Sequence, residues 1–247
     1  PMNFKLNSQC AAAVLATAAG AASAQVSDGV VKIGVMNDMS GIYADVAGPG
    51  SVVAAKMAIE DFGAAAKGMK VEVVSADHQN KPDVGSTLAR QWYDVDKVDA
   101  IFDVPTSSVA LAISQISRDK GKAFINSGAA TSDLTSKACS PTTVHWTYDT
   151  WMLANGTGTA ITKTGGDTWF FLTADYAFGH ALERDTTAAI TKAGGKVLGG
   201  VRTPFPATDF SSFLLQAQAS KAKIIGLANA GGDFTNAMKA AKEFGIN

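Results

Sequence analysis

The chain has 247 residues, 47% of them hydrophobic and 17% charged, with a formal net charge of −1. That balance excludes a disordered polymer, which lacks the apolar surface to fold, and it argues against a nucleic-acid binder, which carries a basic patch or stripe. The length suffices for one large α/β domain or two smaller ones, each with its own core.

The chain opens with the order of a secretory leader over residues 1–24. Lys5 supplies the positive start, residues 11–19 a short apolar run, and Ala22-Ser23-Ala24 a small-residue cleavage site that leaves Gln25 first. The run is too short to span a bilayer, which takes about 20 residues. Cys10 precedes the apolar run, the wrong order for a lipid anchor, and Pro1 ahead of Met2 is not a natural start. With the leader removed, Cys139 is the one remaining thiol: its disulfide partner is expected in sequence beyond this part of the chain, or it is a small half-buried hydrophobe.

Beyond the leader, apolar β-branched runs alternate with stretches of helical period. Residues 30–36 predict a buried strand, followed by a glycine-rich loop from Ser40-Gly41 to Gly48-Pro49-Gly50. Val52, Val53, Ala55, Met57, Ile59 and Phe62 then recur at helical spacing. Residues 71–74 predict a second strand, and Pro82-Asp83 opens a helix towards Tyr93. Residues 100–104 are the third strand, 107–120 a helix and 122–126 the fourth strand. Strand and helix in alternation signal a parallel sheet covered on both faces.

Residues 127–146 predict a longer loop with a short turn. The alternation resumes with a helix at 150–164 and a strand at 168–172. A helix at 179–193, a strand at 196–198 and a helix at 210–219 follow. The last pair is a strand at 224–228 and a helix at 234–244. Gly165-Gly166 and Gly194-Gly195 sit where a helix must stop before a strand. The pattern gives two α/β units, 25–146 and 147–247, joined near residues 145–148. Their strand ends face each other across a cleft, the usual place for a ligand in such sheets.

Several stretches, in order, resemble type I periplasmic solute-binding proteins of the leucine/isoleucine/valine-binding branch, which serves ATP-driven importers. They begin with Val31-Lys32-Ile33-Gly34-Val35, Ser40-Gly41 and Gly48-Pro49-Gly50 ahead of a long helix. Asp77-His78-Gln79-Asn80-Lys81-Pro82-Asp83, Ser127-Gly128-Ala129-Ala130-Thr131, Tyr176-Ala177-Phe178-Gly179 and Ala230-Gly231-Gly232 follow. Val144-His145-Trp146-Thr147-Tyr148-Asp149-Thr150 looks like the subgroup associated with aromatic and other small carboxylates. The resemblance implies two Rossmann-like parallel-sheet domains joined by a hinge strand near Trp146. It also implies a later return to the first domain, so this chain is expected to be an N-terminal part.

Thr106, Ser107 and Ser108 lie between a strand and a helix start. Their hydroxyls and unpaired N–H groups suit an anion, or they simply cap the helix. The resemblance implies that Ala129, Ala130 and Thr131 contact ligand through backbone and hydroxyl groups; a loop satisfying its own polar groups is the alternative. Tyr43, Tyr148, Tyr176 and Phe178 are read as loop aromatics that sandwich an apolar ligand body, or pack loop on helix. Asn229 and Ala230, at the end of the last strand, are further ligand-contact candidates of the same kind. Asp77, His78, Asp103 and Asp149 read as turn or capping residues.

Catalytic chemistry finds no support. His78, His145 and His180 are isolated, and no paired-cysteine or H-E-x-x-H spacing suggests a metal. No nucleophile elbow or phosphate loop occurs, and Gly48-Pro49-Gly50 lacks the third glycine of a dinucleotide fingerprint. The expectation is a non-enzymatic, cofactor-free, monomeric periplasmic binding protein that does not itself span the membrane. It delivers a small carboxylate, a branched-chain amino acid or an aromatic acid, to an inner-membrane permease. A sensor domain of the same fold is the alternative, and a nicotinamide enzyme the remoter one.

Overall fold

The computed structural model describes residues 29–246; the leader expected at 1–24, with Cys10, lies outside them. The first sheet is built from β1 (Val30–Asn37), β2 (Lys70–Asp77), β3 (Ala100–Asp103), β4 (Ala123–Asn126) and β5 (Thr143–His145). Its order is β2-β1-β3-β4-β5, every pairing parallel. The second sheet has β6 (Thr168–Ala174) between β7 (Lys196–Thr203) and β8 (Ile224–Ala228), again parallel. Parallel strands are buried by crossover helices, which is why their sequences read as near-continuous apolar runs.

Helices α2 (Pro82–Asp94) and α3 (Ser107–Lys120) close one face of the first sheet. Met36, Trp92, Tyr93, Val98, Ile101, Val109, Ile113 and Phe124 form its core. Gly34 is required there, since a Cβ would stand 2.5 Å from the Trp92 ring. Helix α1 (Gly48–Phe62) packs on β1 and β2 but leaves Val53, Met57 and Phe62 exposed, so its apolar stripe is not a core face among the described residues. Gly48-Pro49-Gly50, expected in a loop, is the first turn of α1. Pro suits a helix start because its missing N–H has no intrahelical role there.

Three further differences have local causes. β5 escapes periodicity because it is three residues long and gains its partners only from β4. Residues 150–164 are helical throughout but run as α4 (Thr150–Leu153), a π-helical turn (Ala154–Gly158) and α5 (Thr159–Lys163). The Asn155-Gly156-Thr157-Gly158 run consists of weak helix formers, where such a widened turn is tolerated. Cys139 is an exposed free thiol, not a half-buried packing residue. In the second sheet, α6 (Ala177–Lys192) shares a core with Trp169, Phe171 and Ile190. On the opposite side α7 (Ser211–Ala219) and α8 (Gly231–Glu243) pack around Leu172, Phe210 and Leu214.

At the end of β2, His78 is fully buried. Its Nδ1 accepts the Asn80 N–H at 3.0 Å, while Nε2 has no partner. Burial pushes its pKa down to about 4, outweighing the nearby Asp38, Asp77 and Asp103 carboxylates, which pull upward. The folded pKa therefore lies below the unfolded value near 6.5, and the unfolded chain takes up the proton first as pH falls. Stability from this group is whole above about pH 6.5, declines towards pH 4 and is flat below, a loss of about 3 kcal/mol. Urea titrations across that window are expected to show the decline in the natural protein and to flatten in His78→Asn.

Candidate functional site

The strand ends of the first sheet meet in a buried polar network. Asp38 follows β1 with no exposed surface; its Oδ1 accepts the Gly41 N–H at 2.7 Å and its Oδ2 the Tyr43 N–H at 2.9 Å. A short carboxylate at a strand end is the natural acceptor for such a turn. Asn80, after β2, donates from Nδ2 to Asp38 Oδ2 at 2.6 Å, and the Thr106 hydroxyl after β3 donates to Asn80 Oδ1. Asn37 donates to Asp103 Oδ2 at 2.6 Å and accepts the Gly48 N–H at 2.9 Å, fixing the start of α1. Ser127 completes the set by donating to Asp103 Oδ1 at 2.9 Å.

This network aims Tyr43 at the second sheet. The phenols of Tyr43 and Tyr176 hydrogen-bond directly, and the Gly232 N–H donates to Ile42 O at 3.2 Å. Gly231 has φ +59°, and a Cβ there would meet Ile42 O at 2.6 Å, so a side chain would part the two loops. Burial raises the pKa of both phenols, leaving each a neutral donor and acceptor at ordinary pH.

Behind the phenol pair lies a pocket of about 220 Å³ walled by Tyr43, Tyr148, Tyr176 and Phe178, with Ala130 and Ala230. Val46, Pro105, Gly128 and Gly231 complete the wall, which contains no charged side chain. Tyr176 and Ala230 are the N-cap residues of α6 and α8, and Pro105 directly precedes Thr106, the N-cap of α3. A larger apolar recess of about 470 Å³ beside β8, between Leu153, Ile161, Trp169 and Leu182, lacks such converging polar groups.

Six of the residues singled out in the sequence thus share one pocket: Tyr43, Ala130, Tyr148, Tyr176, Phe178 and Ala230. Phe178 stands in the first turn of α6, not on a loop. The other six stand outside the wall. Thr106 and Ser107 are buried, with Ser107 Oγ accepting the Thr131 N–H at 3.3 Å, and Ser108 is half-buried on α3. Ala129 is held by Asn126 on both its N–H and its carbonyl, and Thr131 Oγ1 accepts the Asp133 N–H at 3.3 Å. Asn229 is buried with neither amide atom bonded. Sequence reasoning named no role for Asp38 or Pro105, and it quoted Asn80, Gly128 and Gly231 only as parts of longer motifs; for Asp38 the available signal was a carboxylate at the end of an apolar run.

A second bridge joins the halves away from the pocket. Arg184 on α6 donates to Asp133 Oδ1 at 3.0 Å, Ser132 Oγ at 2.8 Å and Asp185 Oδ1 at 2.8 Å. Asp185 Oδ2 accepts the Ser132 and Thr150 hydroxyls at 2.7 and 2.6 Å. Burial alone would raise the Asp185 carboxyl, but Arg184, Thr150 and Ser132 together hold it below its usual value. Among the described residues no group of three or more His, Cys, Asp or Glu is placed to hold a metal, and no helix is long and apolar enough to cross a membrane.

The model of the periplasmic binding protein family matches residues 30–247. The chain belongs to that family. A Leu/Ile/Val-binding protein homolog of Brucella abortus is 28% identical over 214 residues, 86% of this chain and 53% of its own length. The chain therefore spans about half the length of the curated relatives it matches. A periplasmic binding protein of Burkholderia mallei superposes with TM-score 0.86 at 56% identity, covering 88% of this chain and 58% of that one. A branched-chain amino acid ABC transporter periplasmic ligand-binding protein of Burkholderia xenovorans gives 0.71 at 42%, with 87% and 58% covered. An R. palustris ABC-transporter solute-binding protein in complex with 4-hydroxybenzoate gives 0.80 at 25%, with 88% and 59% covered. The parallel two-sheet architecture matches these type I binding-protein folds.

Within this family member, Asp38 is the residue on which the pocket's geometry turns. Asp38→Ala leaves the buried Tyr43 N–H, the Gly41 N–H and the Asn80 amide without their acceptor, and is expected to cost at least about 2 kcal/mol in urea unfolding. Tyr43→Phe, which removes one hydroxyl, is expected to cost about 1 kcal/mol.

Proposed function

We propose that the chain is the substrate-binding component of an ABC importer, taking a small carboxylate with an aromatic body into the cleft between its two halves. The reading rests on the pocket wall: four aromatic rings, no charged side chain, and two helix N-caps with a third helix start alongside. Helix N-termini carry partial positive charge and unpaired N–H groups, so several together favour an anion without a cation side chain. Aromatic walls match an apolar ring. The R. palustris relative in complex with 4-hydroxybenzoate supports the aromatic acid, the B. xenovorans relative a branched-chain amino acid.

In this reading residues 25–146 and 147–247 are the two domains, and the ligand's carboxylate meets the starts of α3, α6 and α8. Tyr43 and Tyr176 close over the ring. The closed form presents the surface that an inner-membrane permease recognises, and the ligand drives closure by binding that form more tightly. Residues 1–24 export the protein to the periplasm, where it acts as a monomer.

Thermal melting of the full-length protein against aromatic acids, branched-chain amino acids and nicotinamide dinucleotides tests this. A ligand at 100 times its dissociation constant adds about 2.7 kcal/mol, a shift of several degrees. A shift with aromatic acids is expected. A cooperative melt that moves with none of the carboxylates, or with a dinucleotide instead, overturns the reading. Tyr148→Phe removes the most exposed phenol of the wall and is expected to weaken aromatic-acid binding in calorimetry by about 1 kcal/mol.

A further inference from the structure

Phe205 occupies the loop between β7 and α7, outside the pocket wall and outside every motif singled out in the sequence. Its ring nevertheless stacks on Tyr176, with centroids 3.8 Å apart and planes 17° apart, and leans on Tyr43 at 6.0 Å and 38°. On the pocket side, Phe178 tilts against Tyr176 at 6.1 Å. The Tyr176 ring is therefore held by two phenylalanines, and its hydroxyl is left to meet Tyr43. The loop is itself anchored: the Ala207 N–H donates to Asp233 Oδ1 at 3.0 Å, and Asp233 is 1% exposed.

We infer that Phe205 is the positioning residue of the cleft, setting through Tyr176 and Tyr43 how closely the two halves approach and so restricting the ligand to a single ring. The size limit rests on the cleft reading above; the positioning role does not. The space left behind the phenol pair, about 220 Å³, is smaller than the roughly 300–1,000 Å³ typical of sites for larger ligands. Stacked rings transmit position because they pack face to face, with little room for either to slide. An aliphatic side chain at 205 fills the volume without offering the flat face.

Tyrosine nitration by tetranitromethane, mapped by peptide mass spectrometry on the full-length protein, reads the positioning role without any ligand. The chain's four tyrosines supply their own controls. Tyr148 is exposed, and Tyr93 is buried in the first core with its hydroxyl bonded to Ser117. In the natural protein Tyr43 and Tyr176 are expected to resist nitration as Tyr93 does. In Phe205→Ala both are expected to approach Tyr148 while Tyr93 stays protected, and Phe205→Trp is expected to restore protection. Where Phe205→Ala also loosens Tyr93, Phe205→Leu is the deciding variant.

Continued protection of Tyr43 and Tyr176 in the folded variant overturns the positioning role. For the size limit, benzoate and 2-naphthoate are compared by calorimetry. The natural protein is expected to favour benzoate by roughly tenfold or more, and Phe205→Ala to bring that ratio towards one. An unchanged ratio overturns the size limit. Failure of the natural protein to bind either acid sinks the aromatic-acid reading, and nitration still decides the role of Phe205.

Discussion

The Asp38 carboxylate is buried with no exposed surface and needs several donors to be tolerated there. Its donors come from three places in the chain: Gly41, Tyr43 and Asn80. Each donor fixes something different. The Gly41 and Tyr43 N–H groups wrap the turn after β1 round the carboxylate, which sets the direction of the Tyr43 ring. Asn80 brings in the end of β2, and Thr106, donating to Asn80, brings in the end of β3 and the start of α3. One acceptor thereby registers three strand ends against one another. In a partly satisfied network each missing donor costs more than a fully apolar replacement would, so the group is all or nothing.

The two halves are then joined by contacts of different character. The phenol pair with its stacked rings is neutral and largely apolar, whereas the Arg184 bridge is ionic and hydroxyl-rich. Arg184 is 46% exposed on its side chain, so its ion pairs are screened and weak, and their value lies in geometry. The planar guanidinium reaches both Asp133 and Ser132 from one position, which orients α6 against the segment after β4. The ring contact lies beside the pocket. A polar bridge away from it sets angle.

Much of the fold was legible in the sequence because its signals are local. Helix α3 is found at Ser107–Lys120, the span its pattern predicts, since Thr106 and the left-handed Gly121 punctuate both ends. The parallel strands announce themselves as apolar runs. β5 was not legible because three residues carry no period, and the exposed stripe of α1 was not because periodicity says which face is apolar, never what covers it. The aromatic half of the pocket was legible for a similar reason: Tyr43, Tyr148 and Tyr176 interrupt loops where no core needs them. The polar half was not. Asp38 and Asn80 stand 42 positions apart and Asn80 and Thr106 another 26, and no local rule pairs them. Phe205 was hidden likewise, because its role exists only once the β7–α7 loop lies over Tyr176.

The electrostatics of the pocket constrain what can enter it. Asp38, Asp103 and Asp233 are buried around the strand ends, a negative environment that opposes an anion. Asp38 and Asp103 are bonded on both oxygens, which spends much of their field on protein donors. Asp233 is bonded on one oxygen, and burial raises its pKa. Against them stand the N-caps of α6 and α8 in the wall and that of α3 one residue beyond Pro105. Helix-end charges act within about one turn, so they are felt only close to those caps. A ligand with one carboxylate would therefore gain by placing it near the helix starts and turning its apolar body to the rings. An ammonium group would find no side-chain carboxylate in the wall to receive it, which is the physical ground for proposing an aromatic acid rather than an amino acid.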